Sequence, residues 1–177
     1  HNFFSGYAEM LKHGLISNTA HWAELLNFNT SDIDYTALKQ LVGRSVQVKE
    51  DIVEQDPFEH GIRKALNLGH TVGHAFESMA LAENRPVLHG YAVAWGIVCE
   101  LYLSHLKVGF PKEKMRQTIQ FIKDNYGVFT FDCKKYEQLY AFMTHDKKNT
   151  SGTINFTLLK DIGDIRINQI ADKDTIF

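Results

Sequence analysis

Residues 63–74 read RKALNLGHTVGH, and this stretch determines how we interpret the rest of the chain. Four side chains, spaced 4, 3 and 4 residues apart, are Arg63, Asn67, His70 and His74. On a helix turning about 100° per residue they fall within roughly a 60° arc of one face. An ordinary solvated face is rich in Glu and Lys, so this composition indicates chemistry. The pattern predicts a helix over residues 62–81 with this stripe on one face. Its core face carries Leu68, Val72, Ala75, Phe76 and Met79.

Two glycines, Gly69 and Gly73, lie one turn apart beside this stripe. A glycine inside a helix costs about 1 kcal/mol relative to alanine, so a pair of them needs a reason. One interpretation is the close approach of a ligand or of another backbone. The alternative is simple close packing against a neighbouring helix.

The pair His70 and His74 has the i, i+4 spacing that allows two imidazoles to share one metal ion. A zinc peptidase of the HExxH type has Glu directly after the first His, and this chain has Thr71 there. The peptidase interpretation therefore lacks its general base. A bare HxxxH needs a further ligand, and the sequence offers His89 and, on the first helix, Glu9.

The remaining chain reads as further helices followed by one hairpin. Apolar periodicity and caps at Ser5 and Ser31 predict helices over residues 5–16, 18–28, 32–54, 91–106, 111–126 and 136–144. Alternating β-branched residues at 153–159 and 164–170 flank Asp161-Ile162-Gly163, a hairpin signal. The predicted fold class is mainly α: a multi-helix domain, residues 1–177, with one small late β-hairpin.

Composition bounds the function classes. The chain has 177 residues, 44% of them hydrophobic, which suits one globular domain. Its net charge of −2 favours neither nucleic acid nor a membrane as a partner. We interpret Cys99 and Cys133 as reduced thiols of a cytoplasmic protein. The chain begins at His1, and we expect a truncated or excised domain without a signal peptide. Packing or surface roles are expected for His13, His21, His60, His105 and His145.

Four segments, taken together, resemble the 3-dehydroquinate synthases. Residues 5–12, SGYAEMLK, resemble the SGxAExxK segment of that family, and residues 63–74 resemble its LRxLLNxGHTxGHA signature. LHG at 88–90, followed by Ala92-Val93, resembles LHGEAVxxG, and DKK at 146–148 resembles a further element. Order and spacing agree from about residue 3 to residue 170. The resemblance covers only the C-terminal, helical half of those enzymes.

The resemblance implies a role for each matching position. Glu9, His70 and His89 take the positions of the zinc ligands, and two imidazoles with one carboxylate leave room for a substrate oxygen. A further anion-binding position falls on Lys147 or Lys148, and we favour Lys148. The positions implied to bind the anionic substrate are Lys12, Lys49, Arg63, Asn67 and His74. Three of them, Lys12, Lys49 and His74, are also expected to be catalytic, with His74 in proton relay.

The resemblance also implies a reaction and its partners. The family converts 3-deoxy-D-arabino-heptulosonate 7-phosphate to 3-dehydroquinate and phosphate in the shikimate pathway, which leads to the aromatic amino acids. The implied cofactors are Zn²⁺ (or Co²⁺) and NAD. The chain contains no glycine-rich dinucleotide-binding fingerprint, so we expect NAD to be bound mainly by an N-terminal domain absent from this chain. The isolated fragment should then be inactive, and the full-length enzyme a homodimer.

One departure and several alternatives accompany this interpretation. Tyr91 stands where the family usually has Glu after HG, so a contact beside the implied ligand His89 is expected to differ.

Another sugar-phosphate cyclase, such as a 2-deoxy-scyllo-inosose or 2-epi-5-epi-valiolone synthase, would share the metal ligands. A polyol dehydrogenase would not need the cations Arg63 and Lys49. A non-catalytic helical metal-binding module is the alternative from a different class.

Overall fold

The computed structural model describes residues 2–58, 61–128, 136–144 and 154–171. Within them the fold is helical with a two-stranded antiparallel sheet near the end, which confirms the predicted class. No described helix combines the length and the apolar character needed to cross a membrane. The elements are α1 (Asn2–Ser17), α2 (Thr19–Asn27), α3 (Tyr35–Gln55), a 3₁₀ helix (Ile62–Asn67), α4 (His70–Ala82), α5 (His89–Val108), α6 (Lys112–Tyr126), α7 (Tyr136–Thr144), β1 (Ile154–Asp161) and β2 (Asp164–Ala171).

The beginning of α3 differs from the sequence-based prediction. Ser31 was expected to cap it, but the cap is Asp34, whose carboxylate accepts hydrogen bonds from the backbone N–H groups of Thr36 and Ala37. Upstream, the Asn29 side chain accepts from the N–H groups of Ser31 and the residue after it, which holds that segment in a turn. The helix therefore begins at Tyr35.

The predicted continuous helix over residues 62–81 is wrong. The chain forms a 3₁₀ helix over Ile62–Asn67, breaks at Leu68 and Gly69, and starts α4 at His70. Gly69 has φ +81°, in the left-handed region that disfavours a side chain, and a Cβ there would lie 2.7 Å from Ile97 Cγ1. Only His70 and His74 of the predicted stripe therefore share an α-helix.

Helix α5 lies at the centre of the domain and touches its neighbours backbone to backbone. A Cβ on Gly96 would lie 2.1 Å from the Gly69 carbonyl oxygen, and one on Gly73 would lie 3.0 Å from the Ala92 carbonyl oxygen. The two glycines beside the stripe are therefore explained by close packing against a neighbouring helix. This contact fixes the first turns of α4 against α5.

The hairpin closes the side of the domain formed by α1 and α5. The inward side chains of β1 are buried, and the Leu159 N–H donates to the Ser104 hydroxyl of α5 at 3.0 Å. At the Ile162-Gly163 turn the Gly163 N–H donates to the Leu15 carbonyl at 2.9 Å. The predicted hairpin is confirmed, with strands about one residue longer than expected. The buried residues of β1 are Ile154, Phe156, Thr157, Leu158 and Leu159.

Two of the histidines expected in packing or surface roles, His13 and His21, are buried. Burial, with a smaller contribution from the Lys12 charge, lowers the pKa of His13 from 6.5 to about 4. Its Nδ1 atom has no hydrogen-bond partner among the described residues. His13 is therefore held neutral in the folded chain.

This burial predicts acid lability. Between pH 6.5 and about pH 4 the unfolded chain binds a proton at His13 and the folded chain does not, so stability falls as the pH falls. Urea unfolding of the metal-free chain at about pH 7 and about pH 5 should show a loss to which His13 contributes about 2 kcal/mol. The variant His13→Gln should lose correspondingly less between the two pH values. An equal loss in both proteins would contradict this assignment.

Candidate metal and substrate site

The beginnings of α4 and α5 meet the second turn of α1. His70 is the first residue of α4, His74 follows one turn later, and His89 is the first residue of α5. The N–H of Gly90 donates to the Ser5 hydroxyl at 3.0 Å, so Ser5 fastens α1 to α5 instead of capping its own helix. This contact brings Glu9 of α1 to the two helix beginnings.

The carboxylate of Glu9 lies between two imidazoles. Its Oε1 atom is 3.7 Å from His70 Nε2 and 3.7 Å from His89 Nε2. The ring centroid of His74 is 5.2 Å from that of His70 and 5.7 Å from that of His89. Four potential ligands, on three different helices, therefore lie close together.

The two imidazoles that face Glu9 through Nε2 are oriented by contacts at Nδ1. Nδ1 of His70 lies 3.1 Å from the Leu68 carbonyl oxygen, and Nδ1 of His89 lies 2.6 Å from Glu77 Oε1. A carbonyl or carboxylate oxygen accepts, so Nδ1–H donates in each case, and in a neutral imidazole with this tautomer Nε2 carries the lone pair. Metal-binding histidines are typically held in this way.

The donor set fits a divalent metal ion. Two atoms each about 2.1 Å from zinc lie about 3.4 Å apart at the tetrahedral angle, close to the separations around Glu9. Ligand nitrogens of His70, His74 and His89 also lie within 4.8 Å of one another. The geometry thus accommodates two sets: Glu9 with His70 and His89, or the three histidines.

Lys12 is a buried cation beside these ligands. The residue is 5% exposed, and its Nζ atom lies 2.5 Å from Glu9 Oε2. Burial lowers the pKa of Lys12, the Glu9 charge opposes this, and the Lys49 charge adds to it. Burial alone would raise the pKa of Glu9, but Lys12 and the two histidines hold it below its ordinary value. Glu9 is therefore ionised and ready to bind a cation.

Burial and the Lys12 charge lower the pKa of His70 from 6.5 to about 4. The imidazole of His70 is consequently neutral at pH 7. Only a neutral imidazole offers a lone pair to a metal. The surroundings of His70 therefore favour the protonation state that metal binding requires.

The other residues predicted to bind the substrate lie outside the group formed by Glu9, Lys12 and the histidines. Lys49 is exposed on α3 and, with His13 and Val42, lines a cavity of about 640 Å³. The guanidinium of Arg63 donates to the Pro57 carbonyl at 2.6 Å. Asn67 lines a separate polar pocket of about 150 Å³ beside the hairpin. The structure thus brings together Glu9, Lys12, His70, His74 and His89, but orients Arg63 and Asn67 elsewhere.

Lys147 and Lys148 lie outside the described residues, so the prediction for Lys148 stays a prediction. Tyr91 joins an aromatic group, with its ring centroid 5.0 Å from that of Tyr126 and 6.1 Å from that of Trp95.

Sequence reasoning missed two carboxylates. Glu77 follows His74 by three residues and His70 by seven, so extending the polar stripe by one turn would have found it. Glu100 is fully buried in α5, and its carboxylate accepts hydrogen bonds from the N–H groups of Gly69 and Val72. The sequence feature that could have indicated Glu100 is a single acidic residue in an otherwise apolar helical segment.

Comparison with known proteins places these residues in a family context. Residues 6–149 match the family model described as 3-dehydroquinate synthase C-terminal. The chain is 58% identical over 175 residues to the 3-dehydroquinate synthase of Parabacteroides distasonis, covering 99% of this chain and 50% of the relative. It is 41% identical over 170 residues to that of Leptospira interrogans, covering 92% and 46%. The chain therefore spans about half the length of these relatives.

Solved structures share the fold at low sequence identity. A 2-deoxy-scyllo-inosose synthase complexed with carbaglucose-6-phosphate, NAD⁺ and Co²⁺ aligns with TM-score 0.77 at 19% identity, covering 98% of this chain and 49% of that one. The 2-epi-5-epi-valiolone synthase of Streptomyces hygroscopicus, with NAD⁺ and Zn²⁺ bound, aligns with TM-score 0.77 at 20% identity, covering 98% and 48%. At such identities the likeness supports the fold alone.

Proposed function

This chain belongs to the 3-dehydroquinate synthase C-terminal family, and we propose that it supplies the metal- and substrate-binding half of such an enzyme. The reaction is the conversion of 3-deoxy-D-arabino-heptulosonate 7-phosphate to 3-dehydroquinate and phosphate. The observation that carries the proposal is the convergence of Glu9, His70 and His89 beside buried Lys12. The identity of 58% to a named synthase supports this substrate over those of other cyclases.

Glu9, His70 and His89 are the proposed ligands of one Zn²⁺ or Co²⁺ ion. A metal held there would supply Lewis-acid polarisation of a substrate oxygen. Glu77 keeps the His89 imidazole turned with Nε2 toward Glu9. Lys12 holds the second oxygen of Glu9, which leaves Oε1 facing the two imidazoles. His74, on the next turn from His70, is free of that set and is assigned to the substrate.

The substrate carries a phosphate and a carboxylate, and the chain offers several cations for them. Lys49 lies close enough to Lys12 for its charge to lower the pKa of Lys12. Arg63 would have to turn its guanidinium from the Pro57 carbonyl to give a bidentate grip. Asn67 and Lys148 are proposed to complete the grip on the anionic groups. His74 is exposed and is proposed to hold and pass a proton at a substrate hydroxyl.

The other half of the reaction is assigned to a second domain. NAD, bound by that domain, would supply reversible hydride transfer. The chain on its own is proposed to bind metal without turning over, and the complete enzyme to work as a cytoplasmic homodimer in aromatic amino acid biosynthesis.

The metal site is tested by titrating the chain with Zn²⁺ against a chromophoric chelator. One ion per chain is expected, and the melting temperature should rise with the free metal concentration because metal binds the folded state. Failure to bind zinc more tightly than the variant His70→Ala would contradict the proposal.

The contact between Glu77 and His89 predicts a measurable effect. In Glu77→Gln the amide is a weaker partner for Nδ1–H, so His89 loses orientation and basicity. Zinc affinity should fall about 10- to 100-fold. The matched control is Glu83→Gln, at the end of the same helix, where the carboxylate pairs with Arg85. Equal zinc affinities in the two variants would show that Glu77 does not support the site.

A further inference from the structure

Glu100 is a carboxylate in the interior of α5 with no exposed surface. Its Oε1 accepts a hydrogen bond from the Gly69 N–H at 3.1 Å, and its Oε2 accepts one from the Val72 N–H at 3.2 Å. Both oxygens are thus committed to backbone donors of the segment that begins α4. The proposed chemistry does not use this group.

These donors are the ones a helix beginning leaves unsatisfied. The first N–H groups of an α-helix have no partner within the helix and are usually bound by the side chain of the N-cap residue. The N-cap of α4 is Gly69, which has no side chain to offer. Glu100 satisfies them from another helix, with one carboxyl oxygen for the Gly69 N–H and the other for the Val72 N–H.

The two hydrogen bonds bracket a proposed metal ligand. His70 lies between Gly69 and Val72, so Glu100 holds the 68–69 peptide group before it and the 71–72 peptide group after it. Helix α5 also carries His89 at its own beginning. Glu100 therefore fixes the turn that carries one ligand to the helix that carries another.

A second contact also holds Gly69 against α5. The Gly69 carbonyl oxygen lies so close to Gly96 that a Cβ there would approach it to 2.1 Å. Both the N–H and the C=O of Gly69 thus face α5, one turn apart along that helix. Burial raises the pKa of Glu100 to about 8 against the opposing effect of the Val72 and Gly69 N–H groups, so keeping an acid at this position is costly.

From this arrangement we infer that Glu100 is a positioning residue of the metal site. It holds the first turn of α4 so that His70 Nε2 meets Glu9 and His89 at ligand distance. The inference rests on the proposed metal site and adds to it a residue that touches neither metal nor substrate.

The test compares Glu100→Gln with a matched control, Ser104→Ala. Ser104 is equally buried one turn further along α5 and binds the Glu100 carbonyl and the Leu159 N–H. Glutamine keeps the volume of Glu100 but sets an NH₂ group against one of the two N–H donors. Zinc affinity is measured by chelator competition, and the Co²⁺-loaded proteins are compared by visible absorption.

Glu100→Gln should bind zinc about 10- to 100-fold more weakly than the unsubstituted chain and shift the Co²⁺ spectrum. Ser104→Ala should lose thermal stability and keep both metal readouts. The side chain of Glu100→Asp is one methylene shorter, and its zinc affinity should lie between those of the unsubstituted chain and Glu100→Gln. This variant replaces Glu100→Gln in the test if the glutamine variant does not fold. Unchanged affinity and spectrum in the folded Glu100 variant, or equal changes in Ser104→Ala, would overturn the inference. Absence of zinc binding by the unsubstituted chain would contradict the metal site itself and, with it, this role.

Discussion

Replacing His70 with alanine is expected to lower zinc affinity by at least about 1,000-fold, because it removes one of the three proposed protein ligands and not only a partner that orients one. His70 Nε2 lies 3.7 Å from Glu9 Oε1, and its ring centroid is 5.4 Å from that of His89. Alanine is a good helix former, so α4 should persist. In an enzyme reconstituted with the proposed nucleotide-binding domain, turnover should fall by a similar factor. Chelator competition and phosphate release measure the two effects.

The matched control is His105→Ala. His105 is a half-buried histidine at the other end of α5 whose Nδ1 binds the Phe110 carbonyl, and its loss should leave zinc affinity unchanged. His74→Ala separates the two possible ligand sets: it should reduce turnover and spare zinc affinity. A loss of zinc affinity in His74→Ala as large as in His70→Ala would favour the three-histidine set. Unchanged activity in a metal-free His70 variant would favour a non-catalytic module.

Replacing Lys12 with methionine is the second change with a large expected effect. The substitution removes a buried charge-assisted hydrogen bond to Glu9 and a cation proposed to meet the substrate. Removing one charged partner from a buried binding contact costs about 2 to 5 kcal/mol, so kcat/KM should fall by about 30- to 5,000-fold. Zinc affinity should change by less than about 10-fold, because losing the Lys12 charge, which repels a metal cation, offsets the weaker orientation of the proposed ligand Glu9. Lys12→Arg should not restore activity, because the larger guanidinium does not fit a 5% exposed site.

The control for Lys12 is Lys39→Met, on the exposed face of α3. Exposed charges contribute little, so this variant should retain near-complete activity. A Lys12→Met enzyme within about threefold of the unsubstituted enzyme would remove Lys12 from the proposed substrate grip. Initial rates over a range of substrate concentrations distinguish a change in KM from a change in kcat.

Local patterns in the sequence predicted most of the fold. Apolar periodicity located α1, α2 and α5 to α7, and the turn at Gly163 located the hairpin, because these signals depend on neighbouring residues alone. The pairing of His70 and His74 follows in the same way from their i, i+4 spacing. The helices and one edge of the site were therefore predictable.

Features set by tertiary contacts were not predictable from local patterns. The break at Gly69 follows from the approach of Gly96 on α5, which continuous helical periodicity cannot reveal. Glu9 lies 61 residues before His70 and was assigned through the family resemblance, and the structure brings the two side chains together. The orientation of Arg63 toward the Pro57 carbonyl and the role of Glu100 likewise depend on contacts that only the folded chain forms.

The most direct test of the central claim is phosphate release from 3-deoxy-D-arabino-heptulosonate 7-phosphate in the presence of Zn²⁺ and NAD⁺, with identification of the organic product. The chain alone should bind zinc and release no phosphate above background. Supplying the nucleotide-binding domain of a 3-dehydroquinate synthase should yield phosphate and 3-dehydroquinate in equal amounts. Robust turnover by the chain alone, or a different cyclic product from the reconstituted enzyme, would contradict the account.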